Sequence, residues 1–130
     1  MRQSYQISVF DGITSIKMFG PFNPGSIIEL MEDIAENYPA DFKLYLLQSA
    51  QFDLKQEDLR KLAEAAKQIF SPHQMAAFVT NNDLIYGELR QFEVFRNPGD
   101  EIITGVFRDE IEAESWLNAK KRDRVAVSSA

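Results

Sequence analysis

The sequence predicts an α/β fold with a mixed, mostly parallel sheet of about five strands, an N-terminal β-hairpin being followed by alternating helices and strands. Three observations predict it. Asp11-Gly12 stands between two runs of alternating polarity, a helical period begins at Asn23-Pro24, and short apolar runs at 42–47, 75–79 and 102–107 then alternate with amphipathic stretches of helical spacing.

The hairpin can be read to its register. Asp-Gly is a favoured two-residue type I′ turn, so Phe10 pairs with Ile13, which sets Val9 opposite Thr14, Ile7 opposite Ile16 and Tyr5 opposite Met18. The mainly apolar set then shares one face, and Gln6, Ser8, Ser15 and Lys17 share the other. Strands are expected at about 4–10 and 13–19, with one face on the core.

After Gly20-Pro21 the period changes. Asn23 is a good N-cap and Pro24 is harmless at the first helical position, where its missing N–H has no intrahelical partner to lose. Ile27, Met31, Ile34, Ala35 and Tyr38 form the apolar stripe of this helix, and Pro39 ends it. The run Phe42 to Leu47 shows no alternation, as a central strand covered on both faces would. Asp53 with Gln56 resembles a capping box opening a second helix with the stripe Leu59, Leu62, Ala63, Ala66, Ile69 and Phe70, stopped by Ser71-Pro72. A strand at Met75–Val79, a third helix from about Asp83 to Phe95, a loop at Asn97-Pro98-Gly99-Asp100 and a strand at Ile102–Phe107 follow. Asp109 with Glu112 caps a last helix whose stripe is Ala113, Trp116 and Leu117. Trp116 and Leu117 are expected to anchor that helix over the sheet beside Phe107. One domain is expected over residues 1–119, with 120–130 as a flexible C-terminal tail.

Composition excludes several function classes. The 130 residues include 20 acidic and 14 basic side chains, a formal charge of −6, which repels phosphate backbones and argues against nucleic acid as a partner. The absence of cysteine removes disulfides, thiolate metal sites and thiol nucleophiles. No apolar run approaches the roughly 20 residues needed to span a bilayer, and the N-terminus lacks the apolar core of an export signal, so a cytoplasmic protein without an integral membrane segment is expected.

No catalytic or metal-binding constellation is visible. His73 is the single histidine and lies in the turn Ser71-Pro72-His73-Gln74, without a carboxylate pattern around it. There is no H-E-x-x-H, calcium loop, P-loop or G-x-G-x-x-G. Glu57-Asp58 and the glutamates 110, 112 and 114 occupy helical positions that read as caps or solvated faces, and Ser26, Ser49 and Ser115 lack a nucleophile-elbow context. The sequence therefore points away from an enzyme and implies no cofactor.

The order of elements, together with A-F-V-T-N-N-D-L-I-Y-G-E-L-R-Q-F-E from Ala77 and V-F-R-D-E-I-E-A-E-S-W-L from Val106, resembles the SpoIIAA-like branch of the STAS superfamily. The resemblance runs from about Ile7 to Leu117, its specific parts being Tyr86, Gly87, Arg90 and Phe92, then Phe107, Ala113, Trp116 and Leu117. It implies a non-enzymatic bacterial binding or regulatory module, used for protein contacts or for binding nucleotides or lipidic ligands. In the anti-sigma antagonists of that superfamily a phosphorylated serine lies in an Asp-Ser-Ser-Gly turn opening the helix after the third strand. Here the segment reads Asp53-Leu54-Lys55-Gln56, so no regulatory phosphosite is expected between Phe52 and Arg60.

Two candidate sites follow. Ligands on open α/β sheets favour the carboxyl ends of parallel strands, an edge that collects Asn23, Ser49, Gln51, Asn81, Asn82 and Arg108 as a polar rim, with Phe19, Phe22, Tyr45 and Phe52 as candidate apolar wall. That pocket would suit a carrier or sensor of a small apolar or lipid molecule. The competing account is that Asn81 or Asn82 simply caps the third helix and Arg108 pairs with a local acid. The second candidate is a contact surface at Tyr86, Gly87 and Arg90. A glycine inside a helix costs on the order of 1 kcal/mol against alanine, and Gly87 lies off the stripe of Ile85, Leu89 and Phe92. Close approach by the first helix or the loop after the second strand would account for it, as would a ligand, a protein partner or a second copy of the chain in a homodimer. Tyr86 and Arg90, four residues apart, are placed for a cation-π pair at its edge.

Overall fold

The computed structural model describes residues 4–97 and 102–129. Five strands form one sheet in the order β1-β2-β3-β4-β5, with β1 at Ser4–Phe10, β2 at Ile13–Pro21, β3 at Phe42–Gln51, β4 at Met75–Val79 and β5 at Thr104–Phe107. Only the β1–β2 pair is antiparallel. Its register is the one expected from the turn, Phe10 on Ile13 through Tyr5 on Met18. Asp11 and Gly12 both take positive φ, 50° and 76°, as a type I′ turn requires.

Four helices complete the chain: α1 at Pro24–Asn37, α2 at Gln56–Ile69, α3 at Asp83–Arg96 and α4 at Glu110–Ser129. The strand order dictates where they go. Each crossover between parallel neighbours is right-handed and steps the same way across the sheet, so α1, α2 and α3 must fall on one face. There they cover Ile16, Met18, Tyr45, Leu47 and Val106. The opposite face, carrying Ile13, Leu44, Leu46, Ala77 and Val79, is closed by Ala113 and Leu117 of α4. β3 is the central strand and is buried on both faces, as its unbroken apolar run implies.

Four local expectations are corrected. Helix α2 starts at Gln56, with Lys55 at its N-cap position, and the carboxylate that bonds back is Asp58, whose Oδ2 accepts from Lys55 N at 3.0 Å. Asp53 lies outside the helix, so the Asp53–Gln56 capping box does not form. Of the expected stripe of α1 only Met31 and Ile34 are buried, Leu30 joins them, and Ile27, Ala35 and Tyr38 are partly buried. The second face of β2 is not solvent-facing throughout, because Ile13 and Ser15 are buried. Finally, α4 continues through Ser129 where a tail was expected from residue 120. Lys121 Nζ donates to the Asp11 carbonyl, while Arg124 donates to the His73 carbonyl, lies 3.6 Å from Asp41 and stacks 4.9 Å over Phe42. These cations reach loops at the end of the sheet from which β2, β3 and β4 start. The expected loop at 97–100 lies outside the described residues beyond Asn97.

Trp116 is half-buried and packs against the Phe107 ring, centroids 5.6 Å apart, which places it beside Phe107 as expected but not enclosed. A Cβ on Gly105 would come within 2.8 Å of that Phe107 ring and 3.4 Å of Trp116, so a glycine is what lets these two rings lie against β5.

Candidate functional site

Helix α3 carries both features of functional interest. Asn82 caps it, its Oδ1 accepting from Ile85 N at 3.0 Å. Ile85, Leu89 and Phe92 turn inward, as their spacing requires. Gly87 points the other way, and a Cβ built there has nothing within 4 Å. Neither α1 nor the loop after β2 crosses it, so packing within the domain does not explain this glycine. Leu84, Gly87, Gln91 and Val94 share that outer face, where Leu84 is 60 % and Val94 72 % exposed. Two exposed apolar side chains thus bracket a position with no side chain at all.

The cation-π pair expected between Tyr86 and Arg90 does not form. Arg90 pairs with Glu93, one turn on, at 3.3 Å, while the Arg108 guanidinium lies 4.1 Å over the Tyr86 ring and 2.6 Å from Asp83 Oδ1. The reason is reach: the turn after β5 brings Arg108 to the start of α3, where it meets ring and carboxylate together. Asp83 is in the first turn of α3, where a carboxylate is also favoured by the helix dipole.

The proposed pocket rim lies at the carboxyl ends of the strands but its members do different work. Asn23 caps α1, accepting from Ser26 N at 2.9 Å; Ser49 is exposed near the end of β3; Asn81 is exposed just before the cap of α3; and Arg108 is taken by Tyr86 and Asp83. The capping and local-pairing account therefore describes Asn82 and Arg108.

A cavity of about 80 Å³ lies deeper, between the sheet and the helices, and none of Asn23, Ser49, Asn81 or Arg108 lines it. Of the aromatic wall expected for a pocket, Tyr45 and Phe52 line it and Phe19 and Phe22 do not. Tyr45 stacks on Phe78 at 5.0 Å, and Phe92 meets Phe78 edge-on at 5.7 Å.

Two charged residues of α3 line this apolar space. Glu88, 7 % exposed, accepts from Leu54 N through Oε1 at 2.5 Å, and its Oε2 is buried without a hydrogen-bond partner among the described residues. Burial pushes its carboxyl above the usual carboxylate range, opposed in part by the Leu54 N–H. Arg96, two turns further along, is also buried, and burial lowers its proton affinity. Neither was singled out from sequence, although the signal was present: position 96 falls within the arc of Ile85, Leu89 and Phe92, and position 88 borders it. Charges inside an apolar stripe are the pattern that marks them.

Among the described residues no three histidine, aspartate or glutamate side chains cluster as metal ligands would, and no helix is long and apolar enough to cross a membrane. His73 lies exposed in its turn.

No protein-family model and no curated protein matches the sequence. Solved structures do match the fold. An anti-sigma factor antagonist from Mycobacterium paratuberculosis superposes with a TM-score of 0.65 at 9% identity, over 90% of this chain and 95% of that one. An uncharacterized protein with a SpoIIAA-like fold from Shewanella loihica superposes with a TM-score of 0.56 at 19% identity, over 88% of this chain and 93% of that one. The chain has the SpoIIAA-like fold, and both of these neighbours come from bacteria.

Proposed function

We propose that the protein is a non-enzymatic regulatory module of the bacterial cytoplasm that acts by binding another protein through the outer face of α3. The observation that carries this is the empty space over Gly87, set between exposed Leu84 and Val94. A helix-interior glycine costs stability, and here no contact inside the domain compensates for it. A partner backbone brought against α3 would use it, with Leu84 and Val94 supplying apolar contact on either side. The occupant is a protein segment with an apolar stripe, which matches two aliphatic side chains set about one turn before and about two turns after the glycine. The anti-sigma factor antagonist among the structural neighbours is a protein named for a regulatory role, which supports the same class for this chain.

Regulation by phosphate at the start of α2 is not part of this reading. Leu54 is buried and its N–H is bonded to Glu88, and Lys55 occupies the N-cap position, so the segment 53–56 offers no hydroxyl to a kinase.

Site-specific photo-crosslinking tests the proposal. A crosslinking side chain at Gln91, exposed on the same outer face of α3, compared with one at Glu64 on the exposed face of α2, should capture one partner of fixed mass from the native host, and that partner, purified, should bind the wild-type chain. Equal capture from both positions, or a purified partner that does not bind, would remove the α3 face from consideration. Capture of a second copy of this chain would replace the partner protein with a homodimer.

A further inference from the structure

We infer that the open edge of β1 pairs with β1 of a second copy of this chain, antiparallel about a two-fold axis at Ile7, so that the two sheets join into one. The pairing uses the edge of the sheet farthest from β5 and is independent of what binds the outer face of α3.

The hairpin decides which main-chain groups are free. In a two-residue hairpin the pair that closes the turn exchanges both N–H···O bonds, and bonded and non-bonded pairs alternate from there. Phe10 and Ile13 close the turn, so Ser4, Gln6, Ser8 and Phe10 direct their N–H and C=O groups at β2, whereas those of Tyr5, Ile7 and Val9 point out of the sheet edge. No strand lies beyond β1, and all of its residues except Ile7 are exposed.

Edges of this kind are ordinarily guarded by lysine, proline, a bulge, shortness or a covering element. The run Ser4–Phe10 is seven residues long, holds no charge and no proline, and pairs with β2 without a register shift. The other edge of the sheet is guarded. There β5 has four residues, and Thr104, Gly105 and Val106 are buried.

The occupant follows from symmetry. In an antiparallel copy centred on Ile7, Ile7 of one chain faces Ile7 of the other and Tyr5 of each faces Val9 of the other, so every outward N–H and C=O meets a complementary group. The side chains sort in the same way. Tyr5, Ile7 and Val9 make one apolar row on the side of α1, where the Tyr5 hydroxyl bonds Asp33, and Gln6 meets Ser8 on the opposite face. Tyr5 is 39 % and Val9 58 % exposed in the single chain, and the row covers both. A shift by one residue sets outward groups against inward ones, and a shift by two carries an outward residue past the end of the facing strand. Because this contact consumes the unguarded edge of each chain, assembly stops at a dimer. The dimer carries two outer faces of α3, at opposite ends of the joined sheet.

Sedimentation velocity and amide hydrogen exchange of the full chain test this in about 0.15 M salt, where repulsion between copies of charge −6 is screened beyond about 8 Å. Between about 5 and about 500 μM the monomer should give way to a dimer, and the Ile7 and Val9 amides should gain at least about 10-fold protection. The Gln6 and Ser8 amides, bonded to β2, should be protected throughout. Val9→Pro removes an outward N–H and no bond to β2, so it should keep the wild-type melting behaviour while weakening dimerisation at least about 10-fold. A monomer across the whole range, a dimer whose Ile7 and Val9 amides exchange as in the monomer, or a dimer that Val9→Pro leaves intact would each overturn the inference. So would protection of these amides only on adding a different protein, which would give the edge to a foreign strand. The wild-type exchange pattern decides the matter even if Val9→Pro fails to fold.

Discussion

Lys43 is the largest fully buried side chain among the described residues, with no exposed surface, and it sits in the otherwise apolar run Phe42–Leu47 of β3. Its ammonium donates to the carbonyls of Tyr38, at 2.8 Å, and Ala40, which close the end of α1. Burial lowers its pKa from 10.5 to about 8, partly offset by Asp41. The sign follows. Between pH 8 and 10.5 the unfolded chain holds this proton and the folded chain does not, so Lys43 makes stability rise with pH across that window, by at most about 3 kcal/mol. Urea unfolding at pH 7.5 and pH 10 should show the rise in the wild type and lose it in Lys43→Met; parallel behaviour of the two would mean that Lys43 is solvated. Tyr5 acts oppositely at higher pH. Its hydroxyl donates to Asp33 at 2.6 Å, that bond first and burial second raise its pKa from 10 to about 12, and its contribution is lost as pH climbs through that range. The sequence marks 42–47 as a strand covered on both faces, which places Lys43 in the core, but the carbonyls that receive it were not legible, because they come from the end of α1 and the loop after it, whose path depends on the packing of α1. Gly87 gives a second prediction at this scale. With open space over it, Gly87→Ala should raise stability by about 0.5–1 kcal/mol through helix propensity alone. A loss of stability by thermal melting would show a contact at that position within the domain.

Among the elements, the hairpin was readable to the residue because Asp11-Gly12 admits one turn geometry and that turn fixes the pairing. Helix starts were readable where the cap lies beside a proline or an apolar run, as at Asn23 and Asn82, and misread at Asp53, where two acids spaced for capping compete and Asp58 wins. The junction of α3 and β5 was not legible at all. Asn97 Oδ1 accepts from Ile103 N, Thr104 N and Thr104 Oγ1, at 3.0, 3.0 and 2.9 Å, tying the end of one element to the start of the next. In the sequence this asparagine reads as the first residue of an Asn-Pro-Gly-Asp loop. Asn97→Ala leaves two backbone N–H groups without that acceptor and should cost about 1–3 kcal/mol; an unchanged urea midpoint would show that other acceptors replace it. On the other face, Gly105→Ala forces the Phe107 ring to move against Trp116 and should cost about 1–3 kcal/mol, read in the same way.

At the scale of the whole molecule, three helices on one face and one on the other leave the sheet with unequal cover, and α4 must span it alone. The sequence ended this helix near residue 119 because Lys120 to Arg124 carry no apolar period. What holds the continuation is polar, with Lys121 on the Asp11 carbonyl and Arg124 on the His73 carbonyl and Phe42, contacts that hydrophobic periodicity cannot report. We expect removal of residues 120–130 to lower stability by about 1–3 kcal/mol, measured by urea unfolding, and no loss would return the segment to the status of a tail. The candidate site divides in the same manner. The exposed glycine was visible in the sequence because it breaks a helical rule, whereas the Arg108–Tyr86 stack and the inner cavity depend on distant chain segments meeting. The central claim is that the outer face of α3 binds a protein, and the most direct measurement is the affinity of the partner captured at position 91 for the wild type and for the Leu84→Asp, Val94→Asp double variant. Both positions are exposed, so the variant should keep the wild-type melting behaviour while binding at least about 10-fold more weakly, the loss of one to two apolar contacts. An unaltered affinity in a folded double variant would contradict the account.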